Sequence, residues 1–61
     1  MKDVEILRRP EVERLTGLSR STIYGMLAKQ AFPKPIRIGK RAVGWKRLAV
    51  EEWLSSRPES R

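Results

Sequence analysis

The feature that most constrains this chain is Gly17-Leu18-Ser19, three residues that separate two short helical patterns. Glycine tolerates the left-handed conformation that a helix stop requires. Serine caps the following helix well, because its hydroxyl accepts a hydrogen bond from an orphan N–H of the first turn. Leu18 before that cap and Ile23 at the fourth helical position predict a hydrophobic staple. From Pro10 to Gln30 the outline is therefore a helix-turn-helix, whose second helix can enter the major groove of DNA.

The 61 residues have room for one domain and one small core. A chain this short buries only about 60% of its unfolded surface, so its stability should be marginal. There is no cysteine and no histidine, which removes disulfides, cysteine-ligated metal, the commonest metal ligand and the commonest general base. No glycine-rich phosphate loop is present, and the acids are few and terminal. We therefore expect a non-enzyme, with no catalytic residue, no metal and no cofactor. No apolar run reaches the roughly 20 residues of a membrane span, and no signal peptide is visible, so the expected location is the cytoplasm, on the nucleoid when bound to DNA.

The net charge is +7, and its placement matters more than its size. All seven acids (Asp3, Glu5, Glu11, Glu13, Glu51, Glu52 and Glu59) lie near the ends. The segment between holds Arg14, Arg20, Lys29, Lys34, Arg37, Lys40, Arg41, Lys46 and Arg47 and no acid. A solvated basic face would serve solubility. Solubility gives no reason to exclude acids from the middle of a chain, whereas a polyanion-binding face does.

In chain order, Val4, Ile6 and Leu7 predict an arm or short strand on the core. Pro10 suits the first position of a helix, where its missing N–H costs nothing. Glu11 and Glu13 suit the positive end of its dipole. Arg9 is a poor cap, and Val12 and Leu15 should face the core. The second helix, Arg20 to Gln30, puts Ile23, Met26 and Leu27 on one face. Ser21, Gly25 and Ala28 lie opposite, with Arg20 and Tyr24 on the flank. A helix chosen only for stability would carry Glu and Lys there and no glycine. Phe32 and Lys34 precede prolines and should be extended, with Phe32 a core plug.

Ile36 to Lys46 predicts a β-hairpin: Ile36 and Ile38 alternate with Arg37, the period-2 signal of a half-buried strand, and Val43 and Trp45 alternate on the return strand. Gly39-Lys40-Arg41 forms the turn, glycine being available for positive φ. Trp45 should point inward. On this scaffold the hairpin is a wing that can reach a phosphate backbone or minor groove; a lysine-bearing edge that discourages aggregation is the simpler alternative. Arg47 to Ser55 is a third helix with Val50, Trp53 and Leu54 in its apolar stripe and no polar cap before it. Residues 1–56 thus form one domain, mostly α with a small β-hairpin, and 57–61 a polar tail expected to be disordered.

Taken together, LRRPEV, LTGLSRSTIY, FPKPIRIGKRAVGW and VEEWL resemble the AlpA family of small phage and prophage regulators. More broadly they are similar to excisionase and MerR-type winged helix-turn-helix proteins. The resemblance covers Leu7 to Leu54. It implies three helices plus a wing, binding double-stranded DNA as a phage- or prophage-type transcriptional regulator, with an excisionase-like recombination directionality factor as the alternative. By position it assigns Ser19 to Tyr24 to the start of the recognition helix and Lys40 and Arg41 to the wing. Two departures stand out: Gly25 replaces an often long polar or basic residue, and Arg47-Leu48 replaces the usual polar cap of the last helix.

Arg20 is the first candidate for base reading, since its fork matches the O6 and N7 acceptors of guanine. Ser21 and Tyr24 are the second. Arg14, Ser19, Thr22 and Lys34 are candidates for phosphates, helped by helix N-terminal amides, and Arg37, Lys40 and Arg41 form the wing contact. A domain this small buries roughly 600–1,000 Å² on DNA, which favours several copies on repeated sites. A phage integrase and RNA polymerase are further candidate partners. A basic RNA-binding module is the rival from another class, but most of its few aromatics should be buried rather than free to stack on bases. A protein-binding antagonist would need an exposed apolar patch.

Overall fold

The structure, a computed structural model, describes residues 5–58. Six elements follow in order: β1 (Ile6–Leu7), α1 (Arg9–Thr16), α2 (Arg20–Ala28), β2 (Ile36–Arg37), β3 (Val43–Lys46) and α3 (Arg47–Ser55). The three strands form an antiparallel sheet in the order β1-β3-β2. The expected short strand is present at Ile6–Leu7, where Ile6 pairs with Lys46 and Leu7 with Trp45. Of the expected arm, residues 1–4 lie outside the described residues, as do residues 59–61 of the expected tail.

The helix-turn-helix is built as its residues require. Gly17 ends α1 at φ 76°, its N–H donating to Glu13 O at 2.8 Å. Ser19 caps α2, its Oγ accepting from Thr22 N at 3.2 Å. Leu18 packs against the core that contains Ile23, as the staple predicts.

The helix ends differ from expectation. α1 begins one residue early, at Arg9, so that Arg8 is its uncapped N-cap. α2 ends at Ala28 rather than Gln30. There Gln30 takes the left-handed conformation, φ 58°. Gln30 N donates to Leu27 O at 3.0 Å and Ala31 N to Met26 O at 2.8 Å, the bond pair of a Schellman stop.

The core is Leu7, Val12, Ile23, Phe32, Trp45 and Val50, so every helix, two strands and the connecting loop contribute to it. Trp45 Nε1 donates to Pro33 O at 2.8 Å and Trp53 Nε1 to Ala31 O at 3.1 Å. Phe32 lies between the two indoles, edge-on, with centroids 6.4 Å from Trp45 and 4.7 Å from Trp53. The extended segment after α2 is thereby pinned from both sides. Arg57 lies over the outer indole, 4.4 Å from the Trp53 centroid.

Three apolar expectations are corrected. Leu15 is 40% exposed rather than core-facing. It sits about 60° around the helix from Val12, and the short α1 buries only the Val12 line. Ile38 and Val43 are also exposed, because the core covers β3 at Gly44 and Trp45 and the hairpin projects past it. Gly39 does not use positive φ: among the described residues Gly17 is the glycine that does. The wing turn closes instead on Ala42 O, which accepts from Ile38 N at 2.9 Å and Gly39 N at 3.2 Å.

α3 spans the expected Arg47–Ser55 without a side-chain cap. Its first amide donates instead to Glu5 O of the neighbouring segment at 2.8 Å. The Arg47 guanidinium reinforces this junction, 2.8 Å from Glu51 and 3.6 Å from Glu5.

Candidate nucleic-acid interface

α2 buries Ile23, half-buries Met26 and Leu27, and leaves Arg20, Ser21, Thr22, Tyr24, Gly25 and Ala28 exposed. The candidate reading residues are therefore open to a partner. The Arg20 guanidinium lies 5.9 Å from the Tyr24 ring centroid, so these two residues form one local unit on the helix flank. Ser19 and Thr22 form a second, the Ser19 hydroxyl donating to Thr22 Oγ1 at 2.9 Å. Ser19 is thus occupied as donor and as cap, and the Thr22 hydroxyl retains a proton to donate outward.

Tyr24 also lies near α1, beside a residue that the sequence marks only as a poor cap. Arg9 Nε donates to Glu13 Oε2 at 2.9 Å. That bond, together with the Glu13 charge and the nearby Tyr24 phenol, holds the guanidinium above its ordinary pKa. The Arg9–Glu13 spacing of four residues, favourable on a helix, was the readable signal.

Charge is sorted by element. The described acids lie before α1 or on α1 and α3, where Arg9, Arg14 and Arg47 pair with Glu13, Glu11, Glu5 and Glu51. Hydrogen bonding to Glu51, then the Glu5 charge, raises the pKa of Arg47. Among the described residues, Arg20, Lys29, Lys34, Arg37, Lys40, Arg41 and Lys46 make no ion pair. Each of these seven is exposed. Arg14 is different: it is exposed but lies 3.0 Å from Glu11, so its charge is already shared. Lys29 and Lys46 were not singled out from the sequence as contact residues, although both belong to its acid-free segment.

The described surface contains no concave pocket and no group of three or more His, Cys, Asp or Glu residues placed to hold a metal. No described helix is long and apolar enough to cross a membrane. What the described residues offer is an outward polar helix face, an exposed hairpin tip and a set of cations that make no ion pair with the described acids.

These elements define a small winged helix-turn-helix domain of three helices and a wing. The chain belongs to the family described as "Prophage CP4-57 regulatory protein (AlpA)", which matches residues 5–58. This is a family of regulatory proteins, not of enzymes. A protein of Enterobacteria phage P4, ORF88, is 45% identical over 51 residues, 84% of this chain and 58% of that protein. The DNA-binding transcriptional activator AlpA of Escherichia coli K12 is 42% identical, with 88% of this chain and 86% of that protein covered. The chain thus spans somewhat over half of the phage P4 relative and most of the E. coli one.

Proposed function

We propose that this protein is a sequence-specific double-stranded DNA-binding transcriptional regulator that places α2 in a major groove and its wing on the adjoining backbone or minor groove. The observation that carries the reading is the sorting of charge. Among the described residues, the cations of α2, the following loop and the wing have no acidic partner, while Glu5, Glu11, Glu13 and Glu51 are paired with arginines on or beside α1 and α3.

In this reading Arg20 hydrogen-bonds a guanine edge. Ser21 and Tyr24 contact neighbouring bases. Thr22 donates to a phosphate, Ser19 chiefly holds the helix start, and Lys34, Arg37, Lys40 and Arg41 neutralise the backbone. Arg14 contributes less, because Glu11 shares it. The name of the E. coli relative supports a role in transcription. A single domain buries only roughly 600–1,000 Å² on DNA, so copies bind side by side on repeated sites.

Selection from a pool of randomised duplex DNA tests the reading. It should recover a shared motif, and structured RNA should compete poorly for the protein. Recovery of no motif, or stronger competition by RNA, would contradict it.

A further inference from the structure

The glycines differ in what the fold asks of them. Gly17 is needed for its positive φ, 76°, and Gly44 because a Cβ there would run into Ile6 Cγ2 and lie 3.1 Å from Leu7 O. Gly25 has neither reason. It is in the middle of α2, exposed, outside the left-handed region, and a Cβ added there meets nothing within 4 Å. Glycine in a helix interior lowers the folding equilibrium about fivefold relative to alanine. The fold therefore bears a cost at Gly25 and draws nothing from it.

Residue 25 lies one turn on from Ser21 and shares its face. Arg20, Tyr24 and Lys29 are exposed around it. We infer that Gly25 is a specificity-determining position, at which the missing Cβ lets the α2 backbone approach base edges that any side chain would hold away. This rests on α2 being the recognition helix. A glycine that admits close approach to a ligand is one of the few uses that offset its helix penalty. Arg20, one and a half turns earlier, then reaches the groove floor only when the helix is seated at that depth.

The test is Gly25→Ala in the full chain, with Arg20→Ala beside it. Binding is measured on a duplex recovered by the parent protein from a randomised pool, and on a scrambled duplex of equal length. Gly25→Ala should raise the folding equilibrium constant about fivefold. It should weaken binding to the recovered duplex at least tenfold and leave the scrambled duplex unchanged. Since no charge is removed, the salt dependence on scrambled DNA should also stay as it was.

Parent-like affinity of Gly25→Ala, while Arg20→Ala loses specificity, would overturn the inference and leave the recognition helix standing. Parent-like specificity in both variants would overturn the recognition helix and the inference with it. A drop in stability of Gly25→Ala would overturn the inference by showing that the fold needs the glycine.

Discussion

Gln30 occupies a position that glycine would fill at lower cost. A left-handed conformation costs an L side chain about 1–2 kcal/mol, and among the described residues Gln30 is the non-glycine that adopts it. Replacing it by glycine removes that strain but loosens the unfolded chain, which cancels part of the gain. Gln30→Gly should therefore stabilise the protein by about 0.5–1 kcal/mol, read as a higher urea midpoint with an unchanged slope. A lower midpoint would mean that the glutamine side chain itself holds the stop. Gly44→Ala should act in the opposite sense. Its Cβ is directed at Ile6 Cγ2 and the Leu7 carbonyl, inside the sheet, where relief requires moving backbone. A loss of about 1–3 kcal/mol is expected from overpacking, and an unchanged urea midpoint would show that β1 yields freely.

Among elements, legibility followed the presence of a local chemical signal. The start of α2 was readable because a serine cap and a glycine stop each act within a few residues. The full span of α3 was readable from the Val50, Trp53 and Leu54 spacing. The end of α2 was not, because its Schellman stop uses Gln30, a residue that announces no turn. Leu15, Ile38 and Val43 were misplaced for a different reason. Periodicity gives the side of an element but not how wide or how long a strip the core covers: α1 buries only the Val12 line, and on β3 the core stops at Gly44. The junction of β3 and α3 also lacked a local signal, since its first amide is satisfied from Glu5, far away in sequence. Lys46 already has the extended geometry of an N-cap, φ −65° and ψ 131°, but no side-chain acceptor. Lys46→Ser should supply one and stabilise α3 by about 1 kcal/mol, measurable as a raised thermal midpoint. It should also remove a cation that makes no ion pair among the described residues and weaken binding to any DNA. Unchanged affinity would place Lys46 outside the contact surface.

For the molecule as a whole, the sequence showed the acid-free middle segment but not how its charges are used. The Glu11–Arg14 spacing of three on α1 was a readable sign that Arg14 is shared, but chain order alone could not show that Arg20, Lys34, Arg37, Lys40 and Arg41 have no acidic partner among the described residues. It could not show that the Tyr24 phenol of α2 lies close enough to Arg9 of α1 to help hold that guanidinium above its ordinary pKa. Those distinctions arise only when helices and loops are brought together. They set the expected hierarchy of contacts. Residues with uncompensated charge on the wing and loop should supply affinity without regard to sequence, and the Arg20–Tyr24 flank should supply discrimination. The most direct test is the affinity of the parent, Arg20→Ala and Arg41→Ala for a selected and a scrambled duplex across a range of salt. We predict that Arg20→Ala costs about 1–3 kcal/mol on the selected duplex and far less on the scrambled one. Arg41→Ala should weaken both alike and reduce the salt slope by about 1. If Arg20→Ala left the ratio of the two affinities unchanged, α2 would not be the element that reads DNA.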